Sequence, residues 1–95
     1  MIWKIEESRN VLKQVSKIPR NILREYEAWK TLVEASGPMA LRIIPGYRDH
    51  RLKGEWAGAR SSYLNKQWRV IYIIDDSGIR ILVLEVNPHD YRKKN

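Results

Sequence analysis

Two nearly unbroken apolar runs near the C-terminus, QWRVIYIID (67–75) and GIRILVLEV (78–86), constrain this chain more than any other feature. Both are short and rich in Val, Ile and Tyr, which makes them strands rather than helices. Asp76-Ser77-Gly78 between them is a turn, so the two form a β-hairpin. Neither run shows the polar–apolar alternation of a half-solvated strand. In the first, Val70 and Tyr72 take one face and Ile71 and Ile73 the other. Strands with two apolar faces belong in the middle of a sheet, with helices covering one side.

The covering helices are legible upstream. In SRNVLKQVSKI, Ser8 is a candidate N-cap, and Val11, Val15 and Ile18 share one helical face. Pro19 ends that helix and opens a second. There Ile22, Tyr26, Trp29 and Val33 follow the i, i+4, i+7, i+11 spacing of a buried stripe, widened by Leu23 and Leu32. Gly37-Pro38 stops it. A first strand is expected in IWKIE and a further one in ARSSYLN. The segment MALRIIPGYRDHRLKG between helix and sheet reads as a short helical turn followed by a loop. The order β-α-α-β-β-β predicts an α+β domain, a helical hairpin on a mostly antiparallel twisted sheet. With 95 residues, a single domain over 1–95 is expected.

Cysteine is absent, which removes disulfide frameworks and thiolate metal sites and suits a reducing cytoplasm. The start MIWKIEESRN is too polar for a secretory signal, and no apolar run reaches the roughly 18 residues of a membrane span. The formal charge of +7 is unevenly placed. Residues 42–69 carry seven Lys/Arg against two Asp/Glu, whereas residues 70–88 carry one against three. A concentrated basic segment is the footprint of a phosphate-bearing partner.

The same segment holds the residue types that metal-free RNA cleavage needs. The ribose 2′-OH attacks the adjacent phosphorus, one group takes its proton, another protonates the departing 5′-oxygen, and cations stabilise the charge between them. His50 and His89 are the chain's two histidines and its natural proton carriers near neutrality. Arg51, Lys53, Arg60 and Arg69 are candidate cations, and Lys66, Arg92 and Lys93 add charge for the nucleic-acid backbone. Trp56, Tyr63, Trp68 and Tyr91 are candidate stacking rings. Trp68 and Tyr72, at the head of a strand, are of a kind more often found as core or sheet-face residues than as base platforms, and Tyr26 and Trp29 are core by their helical spacing. Arg69 stands out because a guanidinium within a run of Val, Ile and Tyr is costly without a partner or a role. No Gly-rich phosphate loop, zinc motif or paired carboxylates is present, so neither metal nor cofactor is expected.

With these residues in view, the chain resembles the RelE/ParE superfamily of type II toxin–antitoxin toxins, most of all its YafQ-type and RelE-type mRNA interferases. The resemblance is sharpest in YRDHRLKGEWAGARSSYLNKQWRVIYII and ILVLEVNPHDYRK. It implies a small ribonuclease that cuts mRNA in the ribosomal A site and is held inactive by a cognate antitoxin in a hetero-oligomer. His50 matches the histidine of the family's DH motif, His89 the histidine after the last strand, and Trp68 the tryptophan of its W-x-x-I-Y strand. Arg69 matches the arginine at the start of the same strand. Lys53 falls in a lysine-rich position, and Tyr91 matches a C-terminal aromatic that stacks a base. Two positions depart from the YafQ-like pattern: Tyr63 replaces a histidine, and Gln67 replaces an acid before the tryptophan. These departures shift proton transfer toward His89, with Tyr63 or Tyr91 as donors, Arg69 and Lys53 as charge stabilisers and His50 as base. A ParE-like toxin that inhibits gyrase without cutting RNA, or a non-catalytic basic nucleic-acid-binding module, would share the fold.

Overall fold

The computed structural model describes residues 2–75, 77 and 79–88. The two apolar runs form β4 (Trp68–Asp75) and β5 (Arg80–Pro88), paired antiparallel. Upstream lie β1 (Lys4–Glu7), α1 (Arg9–Gln14), α2 (Arg20–Ser36), α3 (Met39–Ile43), β2 (His50–Arg51) and β3 (Arg60–Tyr63). The five strands make one sheet in the order β1-β5-β4-β3-β2, with β1 parallel to β5 and every other pair antiparallel. The expected α+β architecture is therefore present. The segment expected to be a short helical turn and then a loop supplies α3 and, where the loop was expected, a two-residue edge strand, β2.

One irregularity organises the centre of the sheet. Ile71 faces Glu85, but its neighbour Tyr72 faces Val83, so Leu84 is an extra residue in β5. Such a bulge reverses the side-chain alternation of its strand. Ile81 and Val83 before it and Val86 after it consequently all enter the same core. Ser8 is built around this bulge. Its N–H donates to the Val83 carbonyl and its hydroxyl to the Leu84 carbonyl, both at 2.9 Å. The same hydroxyl oxygen accepts from Val11 N at 3.2 Å, capping α1. Ser8 thus ends β1, starts α1 and fastens both to β5. Beyond the bulge α1 closes the edge of β5, where Gln14 Oε1 accepts from Val86 N at 3.0 Å.

The first helix is shorter than its apolar spacing predicts. Regular α-helix stops at Gln14, and Val15–Lys17 tightens into a 3₁₀ turn. Proline at 19 forces the preceding residue out of the helical region, and Ile18 is extended at φ −78°, ψ 131°. In α2 the expected stripe of Ile22, Tyr26, Trp29 and Val33 is buried. Trp29 stacks with Tyr26 at 6.2 Å and meets the edge of Tyr72 at 5.4 Å, which joins the helix to β4. Each such aromatic pair adds about 0.5–1.5 kcal/mol beyond the area it buries. Ile73, expected on an apolar face, is 37% exposed on the side away from the helices.

Two further contacts tie the N-terminus down. Tyr26 Oη and Lys30 Nζ donate to Glu7 Oε2 at 2.6 and 3.1 Å, linking α2 to β1. Gly37, at φ +81°, ends α2 with the Trp3 indole against it, and an added Cβ would lie 2.7 Å from Trp3 Nε1. That contact, with Trp3 N donating to Glu34 O at 3.0 Å, draws Trp3 toward α2, so β1 begins only at Lys4.

Gly37→Ala combines a disfavoured backbone conformation with a steric clash, and is expected to destabilise the fold by about 1–3 kcal/mol in urea unfolding. An unchanged midpoint would contradict this packing. The Glu7 carboxyl gives a pH dependence. Burial works to raise its pKa, but the hydrogen bonds from Tyr26 and Lys30 win and hold it below the ordinary value of about 4.5. A depressed folded-state pKa contributes stability above the unfolded value that is lost as pH falls through the folded one. Stability should therefore decline as pH falls below about 4.5, and Glu7→Gln should flatten that decline. An equal acid dependence in wild type and variant would contradict the assignment.

Candidate functional site

Directly opposed residues on neighbouring strands share a face of the sheet. His50 opposes Ser61, which opposes Ile71, which opposes Glu85. Tyr63 opposes Arg69, which opposes Asn87. These residues therefore line the face turned away from the core. The opposite face carries Arg51, Arg60, Ser62, Trp68, Val70 and Tyr72 toward the helices.

The position of His50 is set by its neighbour. Asp49 has a fully buried side chain, and its carboxylate accepts from Arg60 Nε at 2.7 Å, from Ser62 Oγ at 2.7 Å and from the Tyr72 hydroxyl. Three donors on two adjacent strands thus hold the residue just before β2. Burial, followed by the hydrogen bond to Asp49, pushes the Tyr72 phenol above its ordinary pKa and keeps it a donor. With Asp49 turned inward, the next residue in the strand turns outward, and His50 is exposed. Its Nδ1 lies 2.7 Å from the Arg48 carbonyl oxygen. A carbonyl only accepts, so Nδ1 bears the proton and Nε2 of the neutral ring holds the lone pair. The His50 and Tyr63 rings lie 6.5 Å apart, tilted by 54°.

Arg69 stands one strand further in. Its Nε is buried and has no hydrogen-bond partner among the described residues. Two more buried polar atoms of the same face share that condition, Ser61 Oγ and Asn87 Oδ1. The Asn87 amide is oriented by Nδ2 donating to Glu85 Oε1. Buried polar atoms without partners are rare and mark places where a ligand or water completes the bonding. Nearby, an open concavity is lined by Arg48, Tyr63, Asn65 and Lys66. Asn65 Oδ1 accepts from the N–H groups of Gln67 and Trp68 at 2.8 and 2.7 Å, which fixes the β3–β4 turn and keeps Lys66 at its exposed tip.

The structure thus gathers His50, Tyr63 and Arg69 on one face, with Lys66 at its rim. Arg51, Arg60 and Trp68, also singled out from the sequence, are not on it. Arg60 spends its Nε on Asp49, Trp68 packs against the core, and Arg51 opposes Arg60 on the helix side. Lys53 is exposed on the β2–β3 loop, which Leu52 N closes by donating to Ala59 O at 3.0 Å; Trp56 is half-buried in that loop. His89, Tyr91, Arg92 and Lys93 lie outside the described residues. The last described residue, Pro88, opposes Trp68. Arg48, Asp49, Ser61 and Asn87 belong to the site but were not picked out by sequence reasoning. Asp49 did leave a signal, being one of two acids among the seven cations of residues 42–69. Among the described residues no three His, Asp or Glu side chains are grouped to hold a metal ion, and no helix is long and apolar enough to cross a membrane.

The fold is shared with the solved structures of YafQ and RelE. The E. coli YafQ crystal structure superimposes with a TM-score of 0.75 at 22% identity, covering 90% of this chain and 92% of that one. YafQ in the E. coli DinJ–YafQ toxin–antitoxin complex gives 0.74 at 23% identity, covering 94% of each chain. The archaeal RelE–RelB complex from Pyrococcus horikoshii OT3 gives 0.74 at 18% identity, covering 96% of this chain and 99% of that one. No protein-family model matches the sequence. No curated protein matches it either.

Asp49→Asn keeps the shape but turns an amide N–H₂ toward a site that presents only donors. It is expected to cost about 3–5 kcal/mol in chemical unfolding, as for breaking a buried ion pair. Ser62→Ala, which removes one of the three donors, should cost about 1 kcal/mol. Equal, small effects of the two substitutions would mean that the carboxylate does not hold β2.

Proposed function

We propose that this chain is the toxin of a type II toxin–antitoxin system, an mRNA endonuclease that acts in the ribosomal A site and stops translation and growth. The observation that carries the reading is Arg69. Its buried Nε has no partner among the described residues, and it shares a sheet face with His50 and Tyr63. A guanidinium held there with no ion pair among the described residues is suited to a phosphate, to which its planar fork donates parallel hydrogen bonds. The likeness of fold to YafQ and RelE supports the reading, as does the charge concentrated in residues 42–69.

The chemistry follows from the groups available. The 2′-oxygen attacks phosphorus as its proton passes to a base, for which His50 Nε2 holds the lone pair. The phosphorus–O5′ bond breaks, and the 5′-oxygen takes a proton from His89, leaving a 2′,3′-cyclic phosphate and a 5′-hydroxyl. Arg69 stabilises the charge on the phosphorane-like transition state, Lys53 adds to the positive field, and Tyr63 or Tyr91 stacks a base or donates a proton. Lys66, Arg92 and Lys93 hold the backbone. No cofactor enters this scheme. Strands are spaced about 4.8 Å apart and rise about 3.4 Å per residue, which separates the His50 and Arg69 backbones by roughly 12 Å. A separation on that scale suits two side chains that flank one phosphodiester. The partner that restrains the enzyme is an antitoxin.

Induced expression followed by mapping of mRNA 5′ ends tests the reading. The expected result is codon-associated cuts with 5′-hydroxyl ends, reduced about 10²–10⁴-fold in rate by His89→Ala or His50→Ala. Arg69→Lys should retain less activity than wild type and more than Arg69→Ala, because the charge survives and the fork does not. Growth arrest with intact mRNA and accumulating DNA breaks would replace this function with gyrase inhibition. Salt-sensitive RNA binding without any cuts would leave a non-catalytic binding module.

A further inference from the structure

The helix side of the sheet edge holds a second cationic feature, separate from the face that carries His50 and Arg69. Arg42 from α3, Arg51 from β2 and Arg60 from β3 line one pocket of about 440 Å³, with Ala59 and Ile74 among its other walls. Of the three, only Arg60 meets a carboxylate, giving its Nε to Asp49. Arg42 and Arg51 are exposed and form no ion pair among the described residues. Beside the pocket α3 presents apolar side chains to solvent. Met39 is 58%, Ile43 77% and Ile44 41% exposed. Met39, Arg42 and Ile43 stand at i, i+3 and i+4, so cation and aliphatic groups share one helical face.

We infer that this pocket and the adjoining face of α3 form a docking surface for an acidic, aliphatic segment of a partner protein. Charge complementarity sets the first half of the choice, since Arg42 and Arg51, without an ion pair among the described residues, line one pocket and suit carboxylates in two-point contact. The exposed aliphatics set the second. A nucleic-acid backbone offers nothing to cover Met39 and Ile43, whereas an amphipathic peptide covers them while its acids reach the arginines. Position adds a consequence. The pocket opens on the opposite side of the sheet from His50 and Arg69, so a segment held here anchors a partner without occupying the proposed cleavage face. The inference rests on the toxin reading only in taking that partner to be the antitoxin.

The test uses the full chain, ¹⁵N-labelled, titrated with a capped peptide of Glu-Leu-Leu-Glu repeats and, in parallel, with its Gln-Leu-Leu-Gln counterpart. Saturable shift changes at Arg42, Ile43, Arg51 and Ile74 are expected with the acidic peptide, and binding tenfold or more weaker with the neutral one. The variant Arg42→Glu/Ile43→Ser alters two exposed side chains, and its spectrum reports whether the fold is kept. It should lose the acidic peptide and still cut mRNA like wild type. Absence of saturable binding, or shifts confined to the His50–Arg69 face, would overturn the inference. So would a 2′-O-methylated RNA that moves the same pocket resonances, because the surface would then be for nucleic acid. Cleavage by the wild type is scored separately: a chain that binds the peptide and cuts nothing refutes the nuclease reading alone, and one that cuts but ignores the peptide refutes this inference alone.

Discussion

The site depends on one buried carboxylate. Asp49 accepts from Arg60, Ser62 and Tyr72, residues of two adjacent strands, and through them holds the start of a two-residue edge strand that packing alone would not retain. A buried charge is tolerable only when its partners saturate it, and here three donors do so. The consequence is directional. With Asp49 turned to the core, His50 must turn to the other face, where its Nδ1 donates to the Arg48 carbonyl and Nε2 of the neutral ring holds the lone pair. Removing the clasp would release the histidine from its place as well as the strand.

A second constraint makes the sheet two-sided. The Leu84 bulge resets the alternation of β5, so Val86 joins Ile81 and Val83 in the core and Asn87 falls opposite Arg69 on the other side. Were the pairing regular through Leu84, Arg69 would oppose Val86, and Asn87 would oppose Trp68 on the helix side. The bulge also supplies the carbonyl that Ser8 uses to turn β1 into α1. One inserted residue therefore shapes both the core and the face opposite it. On the helix side, arginines either brace the structure, as Arg60 does, or line the pocket beside α3. On the other side, Arg69 forms no ion pair among the described residues, and the ring of Tyr63 and the amide of Asn87 oppose it across the sheet.

Much of the fold was legible because periodicity reports burial. The stripe Ile22-Tyr26-Trp29-Val33, the Ser8 cap and the C-terminal hairpin each follow from spacing or from the hydrogen-bonding habit of a residue type. The bulge left no mark, since ILVLEV is apolar on both faces and reversing its alternation changes nothing a pattern can register. For the same reason the facing of Arg60 and Trp68 was hidden. The alternation within RSSY and WRVIY separates Arg60 and Trp68 from Tyr63 and Arg69 only once the register across the β3–β4 turn is known. A two-residue strand such as β2 is too short to carry any period. The clasp on Asp49 joins positions up to 23 apart in sequence, a pairing that spacing does not encode.

The central claim is that RNA is engaged by the face that carries His50, Tyr63 and Arg69 and not by the basic groups on the helix side. Titrating the ¹⁵N-labelled chain with a 2′-O-methylated RNA, which binds but cannot be cut, tests it most directly. The account predicts shift changes centred on His50, Tyr63, Arg69 and Asn87, with the Arg69 side-chain Nε–H signal moving as it donates to a phosphate. Changes centred on Arg42, Arg51 and Arg60, with the Arg69 signal unmoved, would contradict it.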